Sequence, residues 1–236
     1  MIDISSTRYL SLPEEFVLLS YRRSGNVHEV RQTATGCAVA ELGELALRRT
    51  LLTPPRKKSK VCGLDVYHLN SRIELLHTDP TGLAWGDELV TELERERAAA
   101  RKPVPVHRWL RRRFHAALVL HRNALVEHGL LSPGHSTILK RPRYHPNSRV
   151  RDALIGHLQA VCHGESPLDA HMLFLLALVK GAQLSGEFGL SWSQLQKLGV
   201  VAGVGPAAHL PEDLRDTSIV LGALVPAREN SGRSHT

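Results

Sequence analysis

Between Gly36 and Arg49 the chain reads Gly-Cys-Ala-Val-Ala-Glu-Leu-Gly-Glu-Leu-Ala-Leu-Arg-Arg, a helical stretch that is apolar almost all the way round. Glu41 and Glu44 are its only acidic breaks, and Leu42, Leu45 and Leu47 leave little face for water. A helix without a solvated face belongs inside a bundle, where neighbours cover every side. The stretch therefore predicts a central helix from about Thr33 to Leu51, with other helices packed round it.

The remaining pattern supplies those helices. Phe16 to Tyr21 reads as a short buried strand or first helical turn opened by Pro13, and Ser24-Gly25-Asn26 as a turn. Thr53 to Lys60 is a Pro-opened basic loop. Val61 to Leu69 and Arg72 to His77, split by Asn70-Ser71, form a plausible hairpin, followed by a turn at Asp79 to Gly82. Asp87 to Ala100 is a charged helix with Leu89, Val90 and Leu93 on one side, broken by Arg101 to Pro105. His107 to His128 is a long helix with an inner stripe of Leu110, Phe114, Ala117, Leu118, His121 and Leu125. Gly129 stands where a helix commonly stops.

Leu130 to Tyr144 is irregular or a hairpin, closed by Pro146. Ser148 to His163 is amphipathic, with Val150, Ala153, Leu154, Leu158 and Val161 facing in. Pro167 to Leu184 reads as a second buried helix, and Trp192 to Leu198 and Pro211 to Val225 as two more. The expectation is a mainly α protein: a single-domain helical bundle over residues 1–226, about seven helices with one small β-hairpin inserted early, and a disordered polar tail at 227–236.

Of the 236 residues 42% are hydrophobic, enough for a real core. The formal net charge of +7, mostly from Arg, draws the chain to polyanions: nucleic acid, anionic lipid or acidic protein. Few Lys beside much Ala, Arg and Leu is the bias of a GC-rich, bacterial coding sequence. Cys37, Cys62 and Cys162 form no CxxC pair and read as small apolar residues in a reducing compartment. Met1 to Leu12 carries Asp3 and Arg8 without an apolar run, so it does not read as a secretory signal. Met172 to Val179, the most apolar run, is far short of a bilayer span. Together these predict a cytoplasmic protein whose membrane contact is peripheral.

Three basic clusters stand out. In His107 to His115, the residues Arg108, Arg111, Arg112 and His115 recur at i, i+3, i+4 and i+7, on one helix face opposite the Leu110/Phe114 stripe. Guanidinium forks suit phosphate oxygens, so these four are the candidate lipid-headgroup-binding residues. The competing interpretation is a solvated face with ion pairs to Glu92, Glu94 and Glu96 on the preceding helix. Arg56-Lys-Lys-Ser-Lys60 reads as a mobile arm or a plain solvated loop, and Lys140, Arg141, Arg143, Arg149 and Arg151 form the third cluster.

Catalytic chemistry has no foothold. The fourteen His include no HExxH, and no His pair at i, i+4 has an acidic third partner nearby in sequence. Gly199 to Gly205 lacks the Lys of a phosphate loop, and there is no GxSxG elbow. No catalytic residue, metal site or cofactor is expected. Another reading is a winged-helix-like nucleic-acid-binding protein, with His121 to Pro146 supplying a helix and a basic hairpin at Lys140 to Arg143. Against it, the Arg residues sit at the wrong end of the helix, and aromatics (5%) do not interleave with the basic clusters.

Three segments resemble the Golgi phosphoprotein 3 family. Glu44-Leu-Ala-Leu-Arg48 is similar to the family's "ELALRG" helix, with Arg49 in place of the usual Gly. Asp79-Pro-Thr-Gly82 with Asp87-Glu-Leu-Val90 resembles its "PTG…LLDEAL" turn and helix. Leu125 to Leu131, then Arg143-Tyr-His-Pro146 and Val150-Arg-Asp-Ala-Leu154, resemble "LVEKGLL…RYP…VRARL". Leu173 to Leu184 takes the place of the family's late buried helix, and the likeness runs from about Leu12 to Leu224.

The resemblance implies an all-helical core with a small hairpin and a non-catalytic peripheral membrane protein. Eukaryotic members bind phosphatidylinositol 4-phosphate and engage the tails of membrane enzymes as sorting adaptors. In their headgroup pocket, the Trp position falls here on Glu29, the first Arg on Ala38, and two later basic positions on His115 and Leu118. None of the four is the family's own residue. The expected partners are therefore anionic lipid headgroups, with membrane-protein tails as implied clients. Nucleic acid is not expected, and a homo-oligomer is compatible with the sequence.

Overall fold

In the computed structural model, which describes residues 10–61, 64–68, 71–134, 142–199 and 205–225, helices α1 (Leu12–Ser20) and α2 (Val30–Leu47) cross at the centre of the molecule. All nine residues of α1 are buried. Between Gln32 and Ala46 only Thr35 of α2 keeps appreciable exposure. The two backbones come close at Gly36, where an added Cβ would lie 2.3 Å from the Phe16 ring. Phe16 to Ser20 is helical, a correction to the strand alternative, and Tyr21 is the extended C-cap. Burial on all sides erases the helical period, and the signal that remains is Ser11 three residues before Glu14. Glu14 Oε2 accepts from the Ser11 N–H at 2.8 Å.

Around this pair lie α3 (Ala84–Ala100), α4 (Val106–Glu127), α5 (Ser148–His163), α6 (Ala170–Gly181), α7 (Trp192–Lys197) and α8 (Glu212–Leu224). That makes eight α-helices among the described residues, so the mainly α expectation holds. Helix α2 is covered by α1, α4, α6 and α8. One apolar core runs from Leu12 to Val225. The tail at 227–236 and most of Gly199 to Gly205 lie outside the described residues.

The strands depart from expectation. The inserted hairpin is β2 (Lys57–Val61) with β3 (Leu64–His68), in register Lys57↔His68 and Val61↔Leu64. It is not the predicted pairing about Asn70-Ser71. Instead β4 (Arg72–Leu75) is the middle strand of a small antiparallel sheet between β1 (Leu51–Leu52) and β5 (Val104–Pro105). The basic run taken for a loop is a strand paired with β3, and α8 supplies counter-charges to its Lys58. Lys58 Nζ donates to Glu212 Oε1 at 2.7 Å and to Asp216 Oδ1 at 3.1 Å. A last hairpin pairs β6 (Leu131–Pro133) with β7 (Tyr144–Pro146).

Helix ends explain the punctuation. After α4, Gly129 takes φ +69° and Leu130 N–H donates back to Leu125 O at 2.8 Å. Helix α2 ends in the same way, Thr50 N–H reaching Leu45 O at 2.9 Å, but its left-handed residue is Arg49, at φ +60°. A non-Gly residue there costs ~1–2 kcal/mol. Arg49 also pairs with Asp213 of α8, a contact that either small replacement removes. Arg49→Gly is therefore expected to exceed Arg49→Ala in stability by about 1 kcal/mol in urea unfolding, with both lacking the ion pair.

A second expectation concerns pH. His171 Nε2 of α6 lies 2.6 Å from Glu15 Oε2 of α1. Burial alone lowers the His171 pKa, but the Glu15 hydrogen bond and the charges of Glu15, Glu44 and Asp169 outweigh it, so the imidazole titrates above its ordinary 6.5. Burial raises the Glu15 carboxyl too, against the pull of His171. Both groups hold protons more tightly folded than unfolded, so stability falls as pH rises through their folded values. The His171 contribution is full below pH 6.5 and fades above it. Thermal midpoints are expected to decline across that window in the wild type and to flatten in Glu15→Gln.

Candidate functional site

Helix α4 begins abruptly. Its N-cap, Pro105, has no side-chain acceptor, and the first turn holds no acidic residue. The Val106 N–H donates to Ser71 O at 3.2 Å. The positive end of the helix dipole is thus uncapped by any carboxylate, and the residues that follow it are His107 and Arg108. One face of α4 is buried through Val106, Trp109, Leu110, Ala117, Leu118, His121 and Leu125. The opposite face points to solvent.

That outer face carries all four predicted headgroup residues. Arg108, Arg111, Arg112 and His115 are exposed and recur at the predicted spacing. Arg112 is ion-paired to Glu96 of α3. The His115 ring sits against Phe114 with centroids 4.1 Å apart. Arg108 and Arg111 make no ion pair among the described residues. Pairing with α3 is thus confined to one of the three arginines, and two cations remain open to a ligand. Arg72, cross-strand from Pro105, is exposed at the start of the same helix, and Arg101 and Lys102 are exposed on the turn leading into it. A groove of about 670 Å³ opens between β4 and the end of α3, lined by Ile73, Glu74, Leu75, Glu94, Arg97, Arg101 and Lys102 among others. Its lining holds both acids and bases, so it selects no single charge.

The positions carried over from the family's headgroup pocket behave differently. Glu29 caps α2, accepting from Arg31 N–H at 3.0 Å and also from Gln32 N–H. Ala38 is fully buried and Leu118 nearly so. Of the four, His115 is exposed and Glu29 half-buried. They therefore line no basic concavity. In the third cluster, Arg143 and Arg149 are exposed, while Arg151 is buried with its guanidinium 5.5 Å from the Phe188 ring. Lys140 and Arg141 lie outside the described residues, and so does most of the hairpin loop that the nucleic-acid reading needs.

The third arginine in a row, Arg113, turns inward. Its Nε and Nη2 donate to Glu41 Oε2 and Oε1, both at 2.8 Å, and His121 Nε2 lies 3.0 Å from the same Oε1. Trp85 packs edge-on to His121 with ring centroids 5.1 Å apart. Sequence reading missed this cluster, although Arg113 stands three residues after Leu110 and four before Ala117 on the inner stripe. It joins an acid, an imidazole and a guanidinium. Glu41 is fully buried and His121 is 1% exposed, so the cluster ties α2 to α4 in the interior. Burial likewise pushes the Cys37 thiol well above its ordinary value and that of Cys162 to about 11, so neither is a ready nucleophile. Among the described residues no group of three or more His, Cys, Asp or Glu is placed to hold a metal ion. Glu41→Ala leaves Arg113 and His121 without their carboxylate and is expected to cost about 3 kcal/mol in chemical unfolding, with Glu41→Gln costing less.

The residues that carry the resemblance form a structural relay. Leu12 N–H donates to Glu44 Oε2 at 2.9 Å, and Arg48 Nε donates to Glu44 Oε1 at 2.8 Å. Arg48 Nη1 reaches Thr81 O at 2.7 Å, and the Thr81 N–H and hydroxyl donate to Asp87 Oδ1 at 2.6 and 2.7 Å. These bonds hold the Asp87 carboxyl below its ordinary pKa. The chain Glu44–Arg48–Thr81–Asp87 thus ties α1, α2 and α3 together.

Compared with known families, residues 12–198 match the model described as Golgi phosphoprotein 3 (GPP34). The match begins at the first residue of α1 and ends just past α7, without α8. No curated protein matches the chain. No helix among the described residues is long and apolar enough to cross a membrane. With the matched region covering most of the chain and the ELALR, PTG and LVEHG segments each in a defined structural place, the protein belongs to the Golgi phosphoprotein 3 family.

Proposed function

We propose that this protein is a non-catalytic, cytoplasmic peripheral membrane protein that holds anionic lipid headgroups on the outer face of α4. The carrying observation is the pair Arg108 and Arg111, exposed, without an ion pair among the described residues, and next to a helix N-terminus whose first turn holds no acid. His115 and the partly engaged Arg112 extend the same face. Near an anionic leaflet each basic residue contributes ~1 kcal/mol, so a surface of this kind localises a protein without a fitted pocket. Phosphatidylinositol 4-phosphate is the headgroup that family membership suggests. With Ala38 and Leu118 buried, the reading favours charge over headgroup identity. An adaptor role toward the tails of membrane proteins belongs to the same proposal and rests on family membership alone.

Sedimentation with phosphatidylcholine vesicles, with and without phosphatidylglycerol, tests it. Binding is expected on the acidic vesicles alone and falls as salt screens the charges. Arg108→Ala with Arg111→Ala is expected to weaken it by about 30-fold, from two contributions of ~1 kcal/mol. Vesicles with phosphatidylinositol 4-phosphate at matched charge are expected to bind no more tightly than phosphatidylglycerol. No binding to acidic vesicles at low salt removes the proposal.

A further inference from the structure

Arg151, near the start of α5, is buried to 8% exposure, yet its guanidinium is poorly served. Its Nε is buried without a hydrogen-bond partner. Its flat face lies over the Phe188 ring at 5.5 Å, a contact that uses no N–H donor. The carboxylate beside it, Asp152 Oδ1, is 4.0 Å from Nη1, too long for a hydrogen bond. That carboxylate is held from the other side by Arg23, whose Nη2 donates to Asp152 Oδ2 at 2.6 Å. One exposed carboxylate thus sits between two guanidinium groups and satisfies one of them. A buried guanidinium short of acceptors costs free energy, because water no longer serves its donors.

The surroundings are fixed and positive. Arg22 and Arg23 stand on the turn after α1, and β7 pins that turn. Tyr144 N–H donates to Gly25 O at 2.9 Å, and His145 Nδ1 lies 3.2 Å from Arg23 O. Arg22 Nη2 and His28 Nδ1 both reach Glu187 Oε1, at 3.2 and 2.6 Å, one residue before Phe188. Arg149 is exposed and precedes Asp152 by three residues, so it shares that side of α5, whose first turn holds no acid. Four arginines (Arg22, Arg23, Arg149, Arg151) against two carboxylates (Asp152, Glu187) leave two positive charges.

We infer that Arg23 and Arg151 form a binding site for a small soluble phosphate monoester, whose phosphate takes the position between them that Asp152 now half fills. A phosphate monoester carries close to two negative charges near pH 7, which matches the local excess. Its three terminal oxygens accept from both guanidinium groups at once, whereas a carboxylate has two oxygens and a single guanidinium fork engages both. The ligand is small because the deeper guanidinium is buried, with the exposed Arg23 and Asp152 at the rim. The site is separate from the basic face of α4 and does not rest on the proposed function. Helix α4 reaches this region at Arg122, whose guanidinium lies 4.7 Å over the Tyr144 ring. Arg122 is ~17 Å along the helix from Arg111.

The test follows thermal unfolding of the full chain in rising inorganic phosphate and glycerol 3-phosphate, against sodium chloride at matched ionic strength. Either phosphate at ten times its Kd is expected to raise the wild-type midpoint by about 3–6 °C over chloride. Arg151→Met keeps the stem against Phe188 and is expected to unfold no earlier than wild type in chloride, while phosphate binding weakens at least about tenfold. Arg23→Ala, at an exposed position, is expected to weaken it about fivefold, which decides the matter if Arg151→Met folds poorly. Asp152→Asn removes the competing carboxylate and is expected to tighten phosphate binding, which a merely structural carboxylate does not do. Arg108→Ala/Arg111→Ala is expected to respond to phosphate like wild type, so the fate of this site is read apart from that of the α4 face. No phosphate-specific rise in the wild type, or an equal rise in Arg151→Met and Arg23→Ala, overturns the inference. So does a preference for phosphatidic acid over phosphatidylglycerol vesicles that Arg151→Met abolishes and free phosphate does not compete away, because the ligand is then a lipid headgroup.

Discussion

Burial of α2 on every side is the constraint from which the other placements follow. A helix with no wet face is stable only when its whole circumference is covered, and α1, α4, α6 and α8 provide that cover. The cover has to deal with two carboxylates that a buried helix cannot leave bare. Glu44 is used to cap the start of α1 and to hold Arg48. Glu41 is used to draw Arg113 and His121 inward from α4. Each acid therefore fixes the rotation of a neighbouring helix as well as satisfying its own charge.

Rotation of α4 is what links this interior to the surface. With Arg113 and His121 turned toward Glu41, the helix period sends Arg108, Arg111, Arg112 and His115 to the opposite side. The outward arginines are a geometric consequence of the inward one. The uncapped N-terminus at Pro105 then adds its dipole to their charge. The segments that identify the family do something else: they tie helices to one another through Glu44, Arg48, Thr81 and Asp87. Family membership here is a statement about scaffold, and the surface has its own residues.

Much of this was legible in the sequence where a helix has one wet side. Helix α5 was placed at its observed ends, Ser148 and His163, because its apolar residues keep a clean period, and in the structure Gly164 caps it. The spacing of Arg108, Arg111, Arg112 and His115 marked the exposed face of α4 correctly. Legibility failed where burial was complete or where charge was balanced from afar. Helix α1 shows no period because all its residues are inside. Strand β2 looked like a loop because its run of basic residues has no apolar alternation, and the acids that offset Lys58, Glu212 and Asp216, lie some 150 residues later in the chain.

What the sequence by itself determined is the helical class, the central helix and the basic face, since local periodicity and composition depend only on neighbours along the chain. Tertiary structure alone decided which strand β4 joins, why Arg113 leaves its row of arginines, and that Ala38 and Leu118 are buried. Each of those outcomes depends on a partner distant in sequence, and burial or charge at one position has no local signature of what will stand opposite it.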